Sequence, residues 1–259
     1  MDEIEVVVAH AERATVRVGD IFLKMDADQS RLDREIETMR MAPVPTPHIL
    51  WHQPPVLALA ALDGRPLGRL GEPSTASAAA WAAAGGAIRE LHDATPPSWQ
   101  GASVDGLAAR LDTECAWLLE NAVLPTDLVT RNRRIAETAL RPWTPVFMHG
   151  DLQVDHVFVE QITDEVTGVL DWSEGAPGDA MYDLATLAIG HPEHLDDILA
   201  GYGAGHGADH GADHGADVDR GVIRAWWSYR GLTSARWLLE HGFDPDSPGC
   251  EFAVLRAQM

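Results

Sequence analysis

Apolar and polar residues follow a strand-like pattern over residues 4–8, 15–18 and 21–25. Gly19-Asp20 separates the last two runs and is a tight hairpin signal. The period then changes. Leu32, Ile36 and Met39 fall at i, i+4 and i+7, which predicts a helix over residues 29–41. Pro43, Pro45 and Pro47 end that helix and force an extended segment. Residues 49–51 and 56–60 read as two more strands, closed by Leu62-Asp63-Gly64. From Ser74 the chain turns Ala-rich, and helices are expected over 77–92, 107–119 and 129–140. A strand-loop-strand unit occupies 146–171, and the remainder is mostly helical in pattern. A β-rich first quarter followed by a helix-rich remainder predicts an α+β, bilobal architecture. The expected boundaries are a small N-terminal lobe with one helix over 1–62 and a larger, mostly helical C-terminal lobe over 63–259.

Composition narrows the class. Hydrophobic residues make up 46% and charged residues 23%, a soluble globular profile. The formal charge of −21 opposes nucleic-acid or anionic-membrane binding and favours a cationic partner. No apolar run approaches the roughly 20 residues that span a bilayer. The acidic start lacks the basic residues of a signal peptide, and two cysteines do not make a disulfide framework, so a reducing, cytoplasmic setting is expected. Residues 206–217 repeat His-Gly-Ala-Asp three times. Such units bury no core, so 203–219 is expected to be a flexible insertion, with weak metal binding by its His and Asp residues as the alternative.

The chemistry concentrates in Phe147-Met148-His149-Gly150-Asp151 through His156, then Val169-Leu170-Asp171-Trp172. Asp151 stands in a short loop between apolar runs, and Asp171 ends the next run twenty residues later. Phosphoryl transfer uses such a pair, one acid to orient the attacking hydroxyl and one to hold Mg²⁺. The spacing His149-x-Asp151-x-x-x-x-His156 keeps the frame of the kinase catalytic loop, with His where Asn is expected. A His nitrogen suits Mn²⁺ or Zn²⁺ better than Mg²⁺, so His156 reads equally as a metal ligand or as a structural histidine. Lys24 sits in an apolar strand, and Glu35 lies eleven residues on, beside Leu32 on the predicted helix, with Glu37 as a competing partner. Lys24 is the only lysine in the chain, and a strand Lys held by a helix Glu is a phosphate clamp. Residues 9–15 contain no glycine, so no Gly-rich phosphate loop is present there.

Together these segments resemble the aminoglycoside phosphotransferase family, a branch of the protein-kinase-like fold. Further matching segments are Val44-Pro45-Thr46-Pro47, residues 62–67, residues 88–92, and Gly178-Asp179 with Asp183-Leu184-Ala185. The resemblance implies transfer of the γ-phosphoryl of ATP or GTP, with Mg²⁺, to a hydroxyl of a small molecule. It implies Asp151 as catalytic residue, Asp171 and His156 at the metal, and Lys24 with Glu35 on the phosphates. Leu59, Ala60, Ala61 and Leu62 would form the adenine-reading hinge, and Asp183 would brace the catalytic loop. An antibiotic such as an aminoglycoside is the expected acceptor, with a macrolide or metabolite as the alternative. Acidic pocket candidates are Asp105, Asp112, Glu114, Glu120, Glu174 and Glu240, while Trp226, Trp227, Tyr229 and Trp237 offer aromatic surface. Two rivals remain, a silent kinase-like binding protein and a metal-dependent phosphohydrolase using His149, Asp151, His156 and Asp171. The oligomeric state is not legible.

Overall fold

Five antiparallel strands and one helix build the first part of the chain: β1 (Ile4–Ala9), β2 (Arg13–Val18), β3 (Ile21–Asp26), α1 (Gln29–Met41), β4 (Ile49–Gln53) and β5 (Val56–Ala60). The structure is a computed structural model that describes residues 4–10, 12–204, 218–246 and 251–257. The expected insertion at 203–219 therefore lies mostly outside the described residues. The sheet order is β1-β2-β3-β5-β4. Gly19, at φ 60°, makes the β2–β3 hairpin turn, and the register sets Lys24 between Thr15 and Leu57. Asp28 caps α1 by accepting from the Ser30 N–H at 3.0 Å. The helix buries Leu32, Ile36 and Met39, and on the same side it buries Glu35 and Thr38. Its seat is the turn after Asp171: a Cβ at Gly175 would come within 2.3 Å of the Thr38 side chain, so only glycine admits this approach.

The larger part carries β6 (Arg65–Pro66), α2 (Ala78–Asp93), α3 (Val104–Glu120), α4 (Thr126–Glu137), β7 (Val146–Met148), β8 (Val157–Val159), β9 (Val166–Val169) and β10 (Ala176–Gly178). Helices α5 (Ala180–Ala188), α6 (Leu195–Ala204), α7 (Arg220–Glu240) and α8 (Glu251–Ala257) follow. Strands pair as β6-β8-β9 and β10-β7, so the expected strand-loop-strand unit is two small antiparallel ladders flanking the loop at 149–156. The first sheet ends at Ala60, and Arg65 already pairs with Val159 of the second part. Helix α4 begins three residues before the predicted start, because Thr126 and Asp127 follow Pro125 directly and form its first turn.

Helix α7 is the axis of this part and packs against α3, α4, α5 and α8. It is buried on nearly all sides, so its polar atoms need partners. Trp226 Nε1 donates to Asp179 at 3.0 Å, Trp227 Nε1 to the Ala185 carbonyl at 2.8 Å, and Ser228 Oγ to Asn132 at 2.9 Å. Helices α2 and α6 meet through two glycines. A Cβ at Gly85 would lie 2.0 Å from the Ile198 carbonyl oxygen, and one at Gly201 would lie 1.7 Å from that of Ala82. Gly85→Ala should therefore lower unfolding free energy by about 1–3 kcal/mol through overpacking, despite alanine's better helix propensity. Urea unfolding of the variant would check this, and unchanged stability would mean the two helices separate freely.

Candidate active site

Strand β7 delivers the chain into a turn at His149-Gly150, and Gly150 takes φ 86° there. A Cβ at Gly150 would come within 2.6 Å of the Glu174 carbonyl oxygen, so both conformation and space require glycine. The turn is held from α5. Asp183, fully buried, accepts the His149 N–H at 2.7 Å and the Gly150 N–H at 2.9 Å. It also faces His92 Nε2 at 3.2 Å, and His92 Nδ1 meets the Tyr202 hydroxyl at 3.0 Å. Asp183 thus braces the loop and does not reach the cleft.

His149 ties this loop to the segment before Asp171. Its Nε2 donates to the Leu170 carbonyl at 2.8 Å, and its Nδ1 accepts from the Asp151 N–H at 3.2 Å. Those roles specify a neutral ring, consistent with burial lowering its pKa. Both ring nitrogens are committed, so His149 has no lone pair left for a metal. The ligand set of the phosphohydrolase rival is therefore incomplete.

Asp151 and Asp171 stand on either side of that histidine. One oxygen of Asp151, Oδ1, accepts from Gln153 Nε2 at 2.9 Å and from an Arg230 Nη2 at 2.7 Å. Partial burial pushes the Asp151 carboxyl up, but the Arg230 guanidinium and His156 outweigh it and hold it below the usual carboxylate value. Asp171 adopts a left-handed backbone at φ 61°, a conformation Asp tolerates better than most residues. Its Oδ1 receives Lys24 Nζ at 3.0 Å, and Lys24 also meets Glu35 Oε1 at 2.5 Å. Partial burial works against the Lys24 charge, yet Asp171 and Glu35 overcome it and raise its pKa. Likewise, partial burial opposes the Asp171 charge and Lys24 reverses this, holding it far below the ordinary value. The predicted Lys24–Glu35 pair is formed, and Glu35, at 2% exposure, is the partner on the inward face of α1.

His156 Nδ1 donates to the Asp151 carbonyl at 2.7 Å, leaving Nε2 as its remaining nitrogen. Partial burial opposes its protonation, but Asp151, Asp171 and Asp155 raise its pKa. Among the described residues no group of three or more His, Cys, Asp or Glu is gathered for a metal. One firmly ionised carboxylate does suit Mg²⁺, which takes most of its ligands from water and phosphate oxygens. Asp171 fits that description. His156 fits only through Nε2 and only unprotonated.

In the hinge segment the Ala60 N–H is taken by the His48 carbonyl at 2.9 Å and the Ala61 N–H by that of Asp20 at 2.8 Å. The Leu62 N–H has no backbone acceptor among the described residues. A cleft of about 380 Å³ opens beside Gly150, Ser173 and Glu174, between α1, the start of α3 and helices α5 and α7. Of the six acidic pocket candidates only Glu174 lines it. Asp112 instead pairs with Arg133 at 2.6 Å and Glu240 with Arg236 at 2.9 Å, on outer helix faces. Trp226 and Tyr229 reach the cleft wall, whereas Trp227 faces α5 and Trp237 is surface.

A scan against protein families places residues 6–216 in the phosphotransferase enzyme family, APH. The chain belongs to that family. No curated protein matches it in sequence. Solved structures do match in fold. A choline/ethanolamine kinase family protein from Mesorhizobium loti superposes with TM-score 0.71 at 19% identity, covering 99% of this chain and 88% of that one. A macrolide 2'-phosphotransferase type I gives 0.68 at 17%, covering 100% and 91%. The GDP complex of aminoglycoside 2'-phosphotransferase-IIIa gives 0.69 at 17%, covering 98% and 91%. The bilobal kinase-like fold is thus established, and with it a kinase-type phosphotransferase class.

Sequence reasoning missed Arg230 and Gln153. Gln153 follows Asp151 by two positions and could have been found by asking what holds the carboxylate. Arg230 lies 79 residues away. Residue type gives no signal, since α7 also carries Arg220, Arg224 and Arg236.

Two outcomes follow from these contacts. Asp183→Ala strands two loop N–H groups and should cost roughly 2–6 kcal/mol of stability in denaturant unfolding, with Asp183→Asn intermediate. For pH, the depressed Asp171 pKa means its ion pair stabilises the fold above about pH 4 and that stabilisation is lost as the carboxylate protonates below it. Lys24→Met should accordingly flatten the acid limb of a stability–pH curve. An unchanged slope would show that this pair contributes nothing to folding.

Proposed function

We propose that this protein transfers the γ-phosphoryl group of ATP or GTP, as the Mg²⁺ complex, to a hydroxyl of a small-molecule acceptor. The observation that carries the reading is the arrangement of Asp151, whose Oδ1 is occupied while Oδ2 has no protein partner among the described residues. It lies in one loop system with Asp171, to which Lys24 and Glu35 are joined. The acceptor hydroxyl donates to Asp151 Oδ2, which orients its lone pair toward the γ-phosphorus. The oxygen–phosphorus bond forms as the bond to the β,γ-bridging oxygen breaks, and the hydroxyl proton passes to Asp151 or onward to solvent. Lys24, held by Glu35, faces the α- and β-phosphates and offsets their charge. Bound Mg²⁺, with Asp171 as its protein carboxylate and His156 Nε2 as a further candidate, would neutralise the charge developing on the β- and γ-oxygens. Leu62 is the remaining donor in the hinge for the nucleotide base. The residues 1–62 and 63–259 would act as the two jaws of the cleft.

Support for the nucleotide comes from relatives in fold, one a GDP complex and another a streptomycin–ATP ternary complex. An antibiotic such as an aminoglycoside fits that neighbourhood. The cleft itself favours an acceptor with few positive charges and a flat apolar face, nearer the macrolide alternative. Arg31, Arg34 and Arg110 line it, with Arg31 paired to Asp26 at 3.0 Å, while two of its three acids are used within the protein. Asp28 caps α1, and Asp179 caps α5 and holds Trp226. No described helix is long and apolar enough to cross a membrane, and a cytoplasmic enzyme is consistent with that.

Incubation with Mg²⁺ and ATP or GTP against aminoglycoside, macrolide and small-metabolite panels should yield a product heavier by one phosphoryl group. Asp151→Asn should lower turnover by about 10²–10⁴-fold with nucleotide affinity retained. Equal turnover in that variant would sink the assignment, and nucleotide binding with no transfer to any acceptor or to water would favour the silent binding protein.

A further inference from the structure

The Asp151 carboxylate is reached by a cation from the far end of the chain. Arg230 projects from the middle of α7, its side chain is 10% exposed, and an Nη2 nitrogen lies 2.7 Å from Asp151 Oδ1. Behind it stands Glu251, the first residue of α8, with Oε1 3.4 Å from Arg230 Nε, an ion-pair contact without a hydrogen bond. This placement has its own supports. Gly231 follows Arg230 and lets α8 lie close, since a Cβ there would come within 2.8 Å of the Leu255 side chain and 3.1 Å of the Glu251 carbonyl oxygen. Asn132 of α4 fastens both helices, donating to the Leu255 carbonyl at 2.9 Å while accepting from Ser228 Oγ at 2.9 Å.

Packing alone does not account for an arginine here. Buried ion pairs are weak contributors to stability compared with apolar side chains of similar size, and Arg230 is the one charged side chain among the buried residues of α7. What the guanidinium does achieve is geometric. An Asp side chain turns about two bonds, and a carboxylate free to turn presents either oxygen, at varying angles. With Oδ1 gripped by Arg230 and Gln153, only Oδ2 remains for an incoming hydroxyl.

We propose that Arg230 is a positioning residue for phosphoryl transfer, fixing the Asp151 carboxylate so that Oδ2 faces the acceptor, with Glu251 of the C-terminal helix holding the guanidinium in place. The proposal rests on the reading of Asp151 given above. It gives α8 a part in catalysis that runs through Arg230.

The test is steady-state turnover of Mg-ATP or Mg-GTP, with the acceptor found in the panel or with water as acceptor, alongside nucleotide Kd and Tm. Arg230→Met should lower kcat about 10–100-fold, the scale of a misplaced catalytic group, with nucleotide KM and Kd within about twofold of wild type. Arg230→Lys should recover part of the loss, and millimolar guanidinium should restore part of the turnover of Arg230→Ala. Glu251→Gln should show a smaller kcat loss in the same direction. A purely structural arginine would give no guanidinium rescue and would lower Tm and nucleotide affinity together. If Arg230→Met does not fold, Arg230→Lys and Glu251→Gln decide: both with wild-type kcat would overturn the proposal, as would a folded Arg230→Met with wild-type kcat. Asp151→Asn separates the two levels. If it is as active as wild type, or if wild type turns over no nucleotide, the reading of Asp151 fails and the proposal with it. If Asp151→Asn is inactive and Arg230→Met is not impaired, the positioning role alone fails.

Discussion

One ammonium group holds the two parts of this protein in working relation. Lys24, on the small sheet, meets Glu35 of α1 and Asp171 of the larger part within 3.0 Å. A buried glutamate and an aspartate in a left-handed backbone conformation would repel one another without a cation between them. The three-way contact therefore fixes where α1 sits over the turn at Trp172–Glu174. Glycine at 175 completes that seat by letting the Thr38 side chain lie against backbone. In a chain with net charge −21 the only lysine stands at this junction. A compact ammonium fits between two carboxylates where a planar guanidinium would demand a wider, flatter space.

The loop carrying Asp151 is held by a different kind of device. Its backbone donors go to Asp183, His149 links it to Leu170, and its carboxylate is gripped by Arg230 and Gln153. The restraints come from different places, namely α5, the segment after β9, α7 and the loop itself. Satisfied polar networks of this kind specify a single arrangement because every buried donor left unmade is costly. The loop can then carry an unsupported oxygen on Asp151 at a defined place, which is the condition for orienting a hydroxyl.

Acidic composition turns out to say little about the cleft. Carboxylates that the sequence offers as contacts for a cationic acceptor point outward and pair with arginines on helix surfaces, as Asp112 and Glu240 do. Those that do line the cleft are mostly consumed as helix caps. The local lining, with arginines and aromatic walls, thus differs in character from the chain average. Net charge is a property of the whole surface, and a pocket of this size samples too little of it to inherit the sign.

From the sequence by itself came the α+β order of elements, the helix carrying Glu35, and the pairing of Lys24 with Glu35. These are local matters: periodicity, proline and glycine punctuation, and short-range spacing record which face of an element is buried and which loop ends in a carboxylate. The start of α4 moved by three residues because Pro125, not periodicity, marks it. Tertiary structure alone decided that His149 is fully engaged, that the acidic pocket candidates other than Glu174 lie off the cleft, and that Ala60 and Ala61 spend their N–H groups on the carbonyls of His48 and Asp20. It alone brought Arg230 to Asp151 and Glu251 to Arg230. Contacts across 79 and 21 residues depend on helix crossings such as the one at Gly231, and nothing in the local pattern of either segment encodes which partner it will meet.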